Sequence, residues 1–370
     1  MPYDPYKALY LHIPFCKQRC AYCDFATSAV AADDPRIDEY LEGLILDIRR
    51  AAADGKLAEI ETVYIGGGTP SHVGMRRLSP LLYALSTAMH LTPEVECSME
   101  ANPESLTGNM VRDLWALGVN RLSIGVQSFD DECLKTLGRI HTADDARRAI
   151  ACAQERFENV SIDLMCGLPG QTFEDFERDL REAVSLGVAH VSVYPLTVEE
   201  NTPLEALVDA GALAAPEEDT EALMMQTAAR VLEGAGYARY EVASYAKPGF
   251  ECRHNIAYWT GKPYLGFGTS AVTMTQNDAR RMRVQDGEVV DDLNRAQMCA
   301  EDLMLGMRMT RGISDEQVQA AAVLLPGVVA ALQDLIRFGL VVHKDGRYKP
   351  TVSGWLCGND LYGRLYELAP

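Results

Sequence analysis

Short apolar runs alternate with longer amphipathic stretches through the first half of the chain. The run from Ala8 to Ile13 has the length of a buried strand, and Ile37, Leu41 and Leu44 then recur at the spacing of one helix face. Further strands are predicted at 62–65, 95–100, 121–125, 160–165 and 190–194, and further helices at 75–89, 107–117, 143–156 and 173–185. Strands that alternate with helices pair in parallel through right-handed crossovers. The pattern therefore predicts an α/β chain that forms an open or partial barrel.

The alternation stops near residue 201. A helix is predicted from Glu217 to Gly234 and a strand from Tyr237 to Tyr245, followed by a polar and aromatic cluster without an amphipathic period. In the tail, helical patterns, a short strand, a turn at 344–346 and a second short strand are typical of a winged helix. We expect a barrel domain over residues 1–235, a connecting region over 236–290 and a mostly helical, winged-helix-like domain over 291–370.

Composition narrows the class of protein. The 370 residues are 48% hydrophobic and 24% charged, and no apolar run approaches the 18 or so residues of a membrane span. The N-terminus lacks the basic and apolar parts of a signal peptide, so we expect a cytoplasmic, reducing environment for the ten cysteines. The net charge of -19 argues against nucleic acid as the main partner.

Three of those cysteines, Cys16, Cys20 and Cys23, follow the first predicted strand. Thiolates are the usual ligands of 4Fe-4S clusters, and three of them leave one iron open to a cofactor or substrate. The alternative is a structural zinc site in which His12 completes the ligand set.

The other chemically capable residues also follow predicted strands. A glycine run at 66–68 ends the second strand, Glu100 closes the third, Gln127 follows the fourth and Asp163 lies within the fifth. The C-terminal strand ends of an α/β barrel form its active site, so these residues are expected to converge with the cysteines. A zinc finger would not need them.

These motifs together resemble the radical S-adenosylmethionine (SAM) superfamily. Within it, the chain is similar to the branch that contains oxygen-independent coproporphyrinogen III dehydrogenases and HemW-like haem chaperones. The resemblance covers nearly the whole chain and rests on motifs at 10–16, 66–70, 100–103, 123–129, 137–139, 162–171 and 254–259. It implies a partial (β/α)6 radical-SAM barrel.

The resemblance also implies roles for individual residues. Cys16, Cys20 and Cys23 would hold the 4Fe-4S cluster, whose open iron is chelated by SAM. The remaining implied contacts with SAM are made by Tyr10, Tyr22, Gly67, Gly68, Thr69, Glu100, Gln127, Arg139 and Asp163. The alternative for Gln127 and Asp163 is a polar side chain satisfied inside the barrel.

Two departures separate the branches of this family. The dehydrogenase has a fourth cysteine two residues after the third, where this chain has Phe25, and it has a longer arm before its cysteines. Both differences favour the HemW-like branch, in which the motif from His254 to Trp259 is associated with haem. A lone histidine beside an asparagine is, however, more often structural.

Haem recognition is the least constrained part of this interpretation. A second histidine expected near residues 266–272 is absent, so His254 is the main candidate axial ligand, with a Cys252 thiolate as an addition if its pKa is lowered. Because the chain is strongly acidic, Arg253 and Lys262 would have to compensate the charge of the haem propionates.

The leading functional hypothesis is a haem carrier that keeps a radical-SAM cluster and delivers haem to acceptor proteins, expected to be membrane-bound respiratory proteins. The runner-up is a radical enzyme that acts on coproporphyrinogen III. Whether SAM is cleaved in turnover is left open by both hypotheses. A third hypothesis is a structural zinc protein, which would be colourless.

Overall fold

The computed structural model describes residues 2–89, 92, 94–215 and 217–369. Its strands are β1 (Ala8–Ile13), β2 (Phe15–Cys16), β3 (Ser28–Ala29), β4 (Thr62–Gly67), β5 (Glu96–Ala101), β6 (Arg121–Gln127), β7 (Asn159–Cys166), β8 (His190–Pro195), β9 (Ala238–Arg239), β10 (Ser244–Ala246), β11 (Tyr264–Phe267), β12 (Val272–Asn277), β13 (Arg280–Gln285), β14 (Glu288–Asn294), β15 (Ile313–Ser314), β16 (Val341–Lys344) and β17 (Arg347–Pro350).

The helices alternate with these strands in the first half of the chain and dominate its C-terminal part. They are α1 (Pro35–Ala53), α2 (Met75–Met89), α3 (Gly108–Ala116), α4 (Asp131–Thr136), α5 (Ala143–Gln154), α6 (Phe173–Leu186), α7 (Pro203–Asp209), α8 (Glu218–Gly234), α9 (Arg253–Trp259), α10 (Arg295–Met307), α11 (Asp315–Ala321), α12 (Val328–Arg337), α13 (Val352–Leu356) and α14 (Gly358–Tyr366).

A parallel sheet forms the centre of the molecule. Strands β1, β4, β5, β6, β7 and β8 are hydrogen-bonded in that order, and each neighbouring pair is parallel. The helices between them pack their apolar faces on the sheet, as Ile37, Leu41 and Leu44 of α1 do. The predicted partial (β/α)6 barrel is therefore confirmed.

Local sequence explains where several helices begin. Thr142 and Thr172 each accept a hydrogen bond from the backbone of the residue three positions later, whose aspartate side chain accepts one in return. Such capping boxes satisfy two backbone N–H groups that a helix start leaves free. They fix the starts of α5 and α6 within one residue of the predicted positions.

The sheet is larger than the sequence pattern predicts. Strand β11 pairs in parallel with β1, and β12, β13 and β14 extend that edge as an antiparallel ribbon to give 12 strands in all. The single strand predicted over 237–245 is wrong, because the chain turns back there and forms the antiparallel pair β9 and β10. Strand β11 finds its partner β1 far away in sequence, whereas β12, β13 and β14 are joined to one another by short turns.

The C-terminal unit has its own apolar core. Strand β15 is followed by α11, α12, β16 and β17, and the three strands form an antiparallel sheet in the order β15-β17-β16, as expected for a winged helix. Helices α13 and α14 were not predicted, and α14 packs against α10. The boundaries expected at residues 235 and 290 stay predictions. No helix in the described part of the chain combines the length and the apolar character needed to cross a membrane.

A buried ion-pair network fastens the β13 ribbon to α10. Arg281 has a side chain that is 2% exposed and donates to Glu301 and Asp302, at 2.5 and 2.7 Å. Arg283 reaches the same Glu301 at 2.9 Å. Removing one partner of a buried pair leaves the other charge without compensation.

We therefore expect Arg281→Ala to lower the free energy of unfolding by about 3 kcal/mol, measured by urea denaturation. Arg280→Ala is the matched control, because the neighbouring Arg280 pairs with Asp292 at the surface and its side chain is 49% exposed. If Arg281→Ala and Arg280→Ala shifted the unfolding midpoint equally, the buried network would not be the source of the stability.

Candidate functional site

The cysteine loop leaves the barrel directly after β1. Cys16 is buried in β2, whereas Cys20 and Cys23 are partly exposed. The Thr69 hydroxyl donates to the Cys16 sulfur at 3.4 Å, and the Arg139 guanidinium donates to the Cys20 sulfur at 3.5 Å. Burial raises the pKa of the Cys16 thiol, and the hydrogen bond from Thr69 opposes this rise in part.

His12 is not available to complete a zinc site with these cysteines. Its Nδ1 lies 3.0 Å from the Tyr10 hydroxyl and its Nε2 lies 3.0 Å from the Ala26 carbonyl oxygen. Among the described residues, no three His, Cys, Asp or Glu side chains are grouped so that they could hold a single metal ion. A structural zinc site needs four ligands around one point, and both ring nitrogens of His12 are engaged in hydrogen bonds within the protein.

The cysteines face a cavity of about 140 Å³, which we call the cluster cavity. It brings together residues predicted from distant parts of the sequence, because the strand ends that carry them meet at one edge of the sheet. Its lining includes Cys16, Cys20, Tyr22, Cys23, Gly67, Gly68, Thr69, Glu100, Gln127, Arg139 and Asp163.

Two predicted residues lie outside the cluster cavity. Tyr10 and His254 line a neighbouring cavity of about 530 Å³, which we call the tyrosine cavity because Tyr64, Tyr194, Tyr258 and Tyr264 also line it. Phe25, Gly67 and Glu100 line both cavities. The structure thus divides the predicted site residues between two adjoining spaces.

The glycine run is required by the protein's own packing. A Cβ at Gly67, whose φ is +111°, would lie 2.6 Å from the His12 ring, and a Cβ at Gly68 would lie 2.9 Å from the backbone of Phe15. A side chain at Gly68 would consequently displace the segment that carries Cys16. Substitution of Gly68 would therefore disturb the cysteine loop as well as the cavity in front of the glycine run.

Glu100 and Asp163 are carboxyl groups held inside the barrel. Glu100 accepts hydrogen bonds from the Tyr64 hydroxyl at 2.9 Å and from the Gly67 backbone N–H at 3.1 Å. Burial raises the pKa of Glu100 to about 7, and the nearby Asp163 adds to this rise. Burial also raises the pKa of Asp163, which accepts a hydrogen bond from Ser123 at 3.4 Å.

Gln127 and Arg139 border the opposite side of the cluster cavity. Gln127 ends β6 with a φ of +68°, at a point where the register between β6 and β7 shifts. This left-handed conformation is costly for a residue with a side chain and is concentrated at functional sites. Arg139 donates to the Asn102 side chain at 2.9 Å and to the Gly125 carbonyl at 2.6 Å.

The sequence analysis missed three polar residues of this region. Asn102 and Ser123 line the cluster cavity, and Arg121 lines an adjoining barrel cavity of about 400 Å³. Asn102 belongs to the motif at 100–103, but the sequence did not indicate that its side chain is part of the site. Arg121 and Ser123 alternate along β6 and both line the barrel interior, a period that could have identified them, whereas Gln127 lies beyond the register shift.

Helix α9 carries the motif associated with haem and separates two cavities. His254 and Tyr258, one turn apart, line the tyrosine cavity. Trp259 faces the other side of the helix, and Asn255 borders the spaces on both sides. The motif therefore does not present all of its aromatic groups to one ligand face.

His254 is held by hydrogen bonds from within the protein. It is 1% exposed, its Nδ1 lies 2.9 Å from the Thr62 hydroxyl, and its Nε2 lies 3.3 Å from the Tyr258 hydroxyl. Burial lowers the pKa of the imidazole to about 3, so the ring is neutral. A neutral imidazole can ligate iron, but here Tyr258 would first have to release Nε2.

Cys252 does not have the environment of a thiolate ligand. Burial raises the pKa of its thiol to about 12, and the sulfur donates to Glu96 at 3.6 Å. The condition for a Cys252 thiolate ligand, a lowered pKa, is therefore not met, since the loss of hydration exceeds the effect of the nearby Arg121.

The two cations expected to offset the propionates are already engaged. Lys262 pairs with Glu61 at 2.9 Å, and the Arg253 side chain donates to the Glu94 carbonyl at 2.6 Å. Neither residue lines the tyrosine cavity.

The residues of the cluster cavity fit an iron-sulfur cluster with a bound cofactor. Three cysteines face one space, two of them receive hydrogen bonds from other side chains, and carboxyl, amide and guanidinium groups line the same space. These groups can bind the hydroxyl, amino and carboxylate groups of a polar cofactor.

Comparisons with known proteins agree with this arrangement. The Radical SAM superfamily matches residues 10–183. The haem chaperone HemW of Bacillus subtilis is 33% identical over 96% of this chain and 98% of its own length. HemW of Escherichia coli is 40% identical over 72% of this chain and 70% of its own length.

The fold has a counterpart among solved structures. Coproporphyrinogen III oxidase HemN of Escherichia coli, a radical SAM enzyme, superposes with a TM-score of 0.81 and 22% identity, covering 98% of this chain and 90% of that one. At this identity the likeness shows the fold. The near full-length match to HemW and the Radical SAM match show the family: this chain belongs to the HemW-like radical SAM proteins.

Proposed function

We propose that this protein is a haem chaperone that carries a 4Fe-4S cluster and SAM, binds haem and delivers it to acceptor proteins. The observation that carries the proposal is the match to HemW haem chaperones over nearly the whole of both chains. Acceptors among membrane-bound respiratory proteins, and a cytoplasmic location, are parts of the same proposal.

In the proposed site, Cys16, Cys20 and Cys23 would hold the cluster and leave one iron open to SAM. A bound cluster would supply reducing equivalents to that cofactor. Arg139 orients the Cys20 sulfur and is placed to pair with a carboxylate. Glu100 and Asp163 accept hydrogen bonds from N–H or O–H groups of the cofactor.

The runner-up, coproporphyrinogen III dehydrogenase activity, has less support. Phe25 occupies the position of the fourth cysteine of the dehydrogenase, and its side chain is 63% exposed beside the cluster cavity. The fold likeness to HemN does not carry an activity to this chain.

For the cluster, we expect Cys20→Ser to lose most of the iron and acid-labile sulfide found in the anaerobically purified wild type, because two thiolates hold a 4Fe-4S cluster poorly. Cys357→Ser is the matched control, since Cys357 is exposed and outside the cluster cavity. Stoichiometric zinc without sulfide in the wild type would overturn the cluster assignment.

For SAM, we expect affinity to depend on the ionisation of Glu100. With a pKa of about 7, its carboxylate form is depleted below that pH, so SAM should bind about tenfold more weakly at pH 6 than at pH 8. Calorimetry of Glu100→Gln should show no such change, whereas the exposed Glu132→Gln should follow the wild type. If the affinity of Glu100→Gln for SAM still fell between pH 8 and pH 6, Glu100 would not be a contact of the cofactor.

For haem, we expect titration of the wild type to give a Soret band of ligated haem that His254→Ala changes or loses. Tyr258→Phe is the control, because it removes the hydroxyl 3.3 Å from Nε2 and leaves the ring in place; it should bind haem at least as tightly as the wild type. If His254→Ala gave the same spectrum as the wild type, His254 would not be the iron ligand.

The runner-up has its own test. Formation of protoporphyrinogen from coproporphyrinogen III under anaerobic conditions would support the dehydrogenase activity instead.

A further inference from the structure

A chain of hydrogen bonds connects two of the cluster cysteines through Asn102. The Arg139 guanidinium donates to the Asn102 side-chain oxygen at 2.9 Å, and the Asn102 amide N–H donates to the Thr69 hydroxyl at 3.2 Å. At its two ends the chain reaches sulfur, because Arg139 donates to Cys20 at 3.5 Å and Thr69 donates to Cys16 at 3.4 Å. Asn102 joins the two halves of this chain, which we call the sulfur network.

The partners of Asn102 fix the direction in which its amide points. A guanidinium has only donors, so the atom that faces Arg139 is the Asn102 oxygen, and the nitrogen then faces Thr69. The amide N–H occupies a lone pair of the Thr69 hydroxyl. The single hydroxyl proton is consequently left for the Cys16 sulfur. Both ends of the sulfur network therefore donate to a sulfur.

The neighbours of Asn102 hold the amide in place. Its backbone N–H donates to the Ser71 hydroxyl at 3.2 Å, and its carbonyl accepts from the Ser105 hydroxyl at 3.0 Å. Gly125 makes room on the other side, because a Cβ there would lie 3.1 Å from the Asn102 oxygen and 3.4 Å from an Arg139 nitrogen. The packing of the chain itself thus preorganises the sulfur network.

The sulfur network lies in surroundings where hydrogen bonds are strong. Thr69 is 3% exposed, and Cys16 is buried. Hydrogen bonds strengthen in an interior of low dielectric constant, and neighbouring bonds polarise one another along a chain. The charge of Arg139 at one end of the network adds to this polarisation.

A bound cluster would gain one negative charge on reduction. Donors and a cation beside its sulfurs stabilise the reduced form more than the oxidised form. Hydrogen bonds to the sulfurs are accordingly among the factors that set the reduction potential of iron-sulfur clusters. Asn102 can therefore act on the cluster through Thr69 and Arg139 without being a ligand.

We propose that Asn102 is a positioning residue that raises the reduction potential of the bound cluster, through the Thr69 hydroxyl at Cys16 and the Arg139 guanidinium at Cys20. The inference rests on the proposed 4Fe-4S cluster and adds a residue that controls how readily the cluster takes up an electron. Without Asn102, the Thr69 hydroxyl is free to turn its proton to another acceptor, and Arg139 loses an anchor. The alternative is that Asn102 only holds the cysteine loop in shape.

The test is a redox titration with dithionite of the anaerobically prepared, cluster-loaded full-length proteins without SAM, in which electron paramagnetic resonance measures the reduced cluster. We expect Asn102→Ala to lower the ratio of reduced to oxidised cluster about tenfold at a given potential. For one electron this is a shift of the midpoint by about 59 mV to more negative values. Iron and sulfide are measured on the same samples, because they report whether the cluster is assembled.

Asn120→Ala is the matched control. The Asn120 side chain also accepts one hydrogen bond and donates another, from the Cys97 N–H and to the Val95 carbonyl, each at 2.8 Å. Asn120 precedes β6, whereas Asn102 follows the neighbouring parallel strand β5, so the two lie at opposite ends of the sheet. The midpoint of Asn120→Ala should equal that of the wild type. An equal shift in Asn120→Ala would show a general effect of packing and overturn the inference.

Two substitutions of Thr69 test the same path without changing Asn102. Valine has the shape of threonine but no hydroxyl, so Thr69→Val should shift the midpoint in the same direction as Asn102→Ala. Serine keeps the donor, so Thr69→Ser should have a midpoint close to that of the wild type. The Thr69 variants decide the matter if Asn102→Ala does not assemble a cluster.

The outcomes distinguish this inference from the proposed cluster. Unchanged midpoints in Asn102→Ala and Thr69→Val, at the wild-type content of iron and sulfide, overturn the inference and leave the cluster intact. Loss of iron and sulfide in Asn102→Ala with an unshifted midpoint in Thr69→Val assigns Asn102 to the shape of the loop and also overturns it. A wild type that assembles no cluster overturns both proposals. A negative shift in Asn102→Ala and Thr69→Val that is absent from Asn120→Ala supports the inference.

Discussion

The close contact between the glycine run and the segment after β1 sets the geometry of the site. The Gly68 and Thr69 N–H groups donate to the carbonyls of Ile13 and Phe15, at 2.9 and 2.8 Å. Side chains at 66–68 would meet the Glu100 carboxyl, the His12 ring and the Phe15 backbone. Because β1 and β4 approach so closely, Cys16 lies within reach of Thr69, and the cysteine loop is held over the strand ends.

Burial inside the barrel gives the site its electrostatic character. The interior faces of the strands carry polar groups, among them Glu100, Arg121 and Asp163. The interior of a small barrel is otherwise filled by packed side chains. Loss of hydration raises the pKa of both carboxyl groups. Arg121 offsets this in part, and its own Nε and Nη1 atoms have no partner in the described chain. A polar interior of this kind is suited to a cofactor with several hydrogen-bonding groups.

Helix α9 divides a motif that reads as one unit in the sequence. The tyrosine cavity lies on the side of His254, and a cavity of about 640 Å³ lies on the side of Trp259. His254 is held by hydrogen bonds with Thr62 and Tyr258, whereas the Trp259 indole N–H has no partner in the described chain. The two sides of the helix thus differ in how fully their polar groups are hydrogen-bonded.

The sequence by itself determined the alternation of strands and helices, the cysteine loop and the residues at the strand ends. Those features depend on local periodicity and on the rule that parallel strands bring their C-terminal ends to one edge. Cys16, Glu100, Gln127 and Asp163 accordingly meet in one cavity as expected. The motif around the cysteines also identified the family, because its spacing is specific.

Only the tertiary structure decided which groups are free to react or bind. The neighbours that bury Cys252 and hold Lys262 are distant in sequence: Glu96 lies 156 residues from Cys252, and Glu61 lies 201 residues from Lys262. Strand β11 likewise pairs with β1, which is distant in sequence, and the hairpins of β12, β13 and β14 continue the sheet from it. The hydration of a group and the number of hydrogen bonds it makes depend on every atom that packs around it. No local pattern could therefore assign the protonation of Cys252, the partner of Lys262 or the two sides of α9.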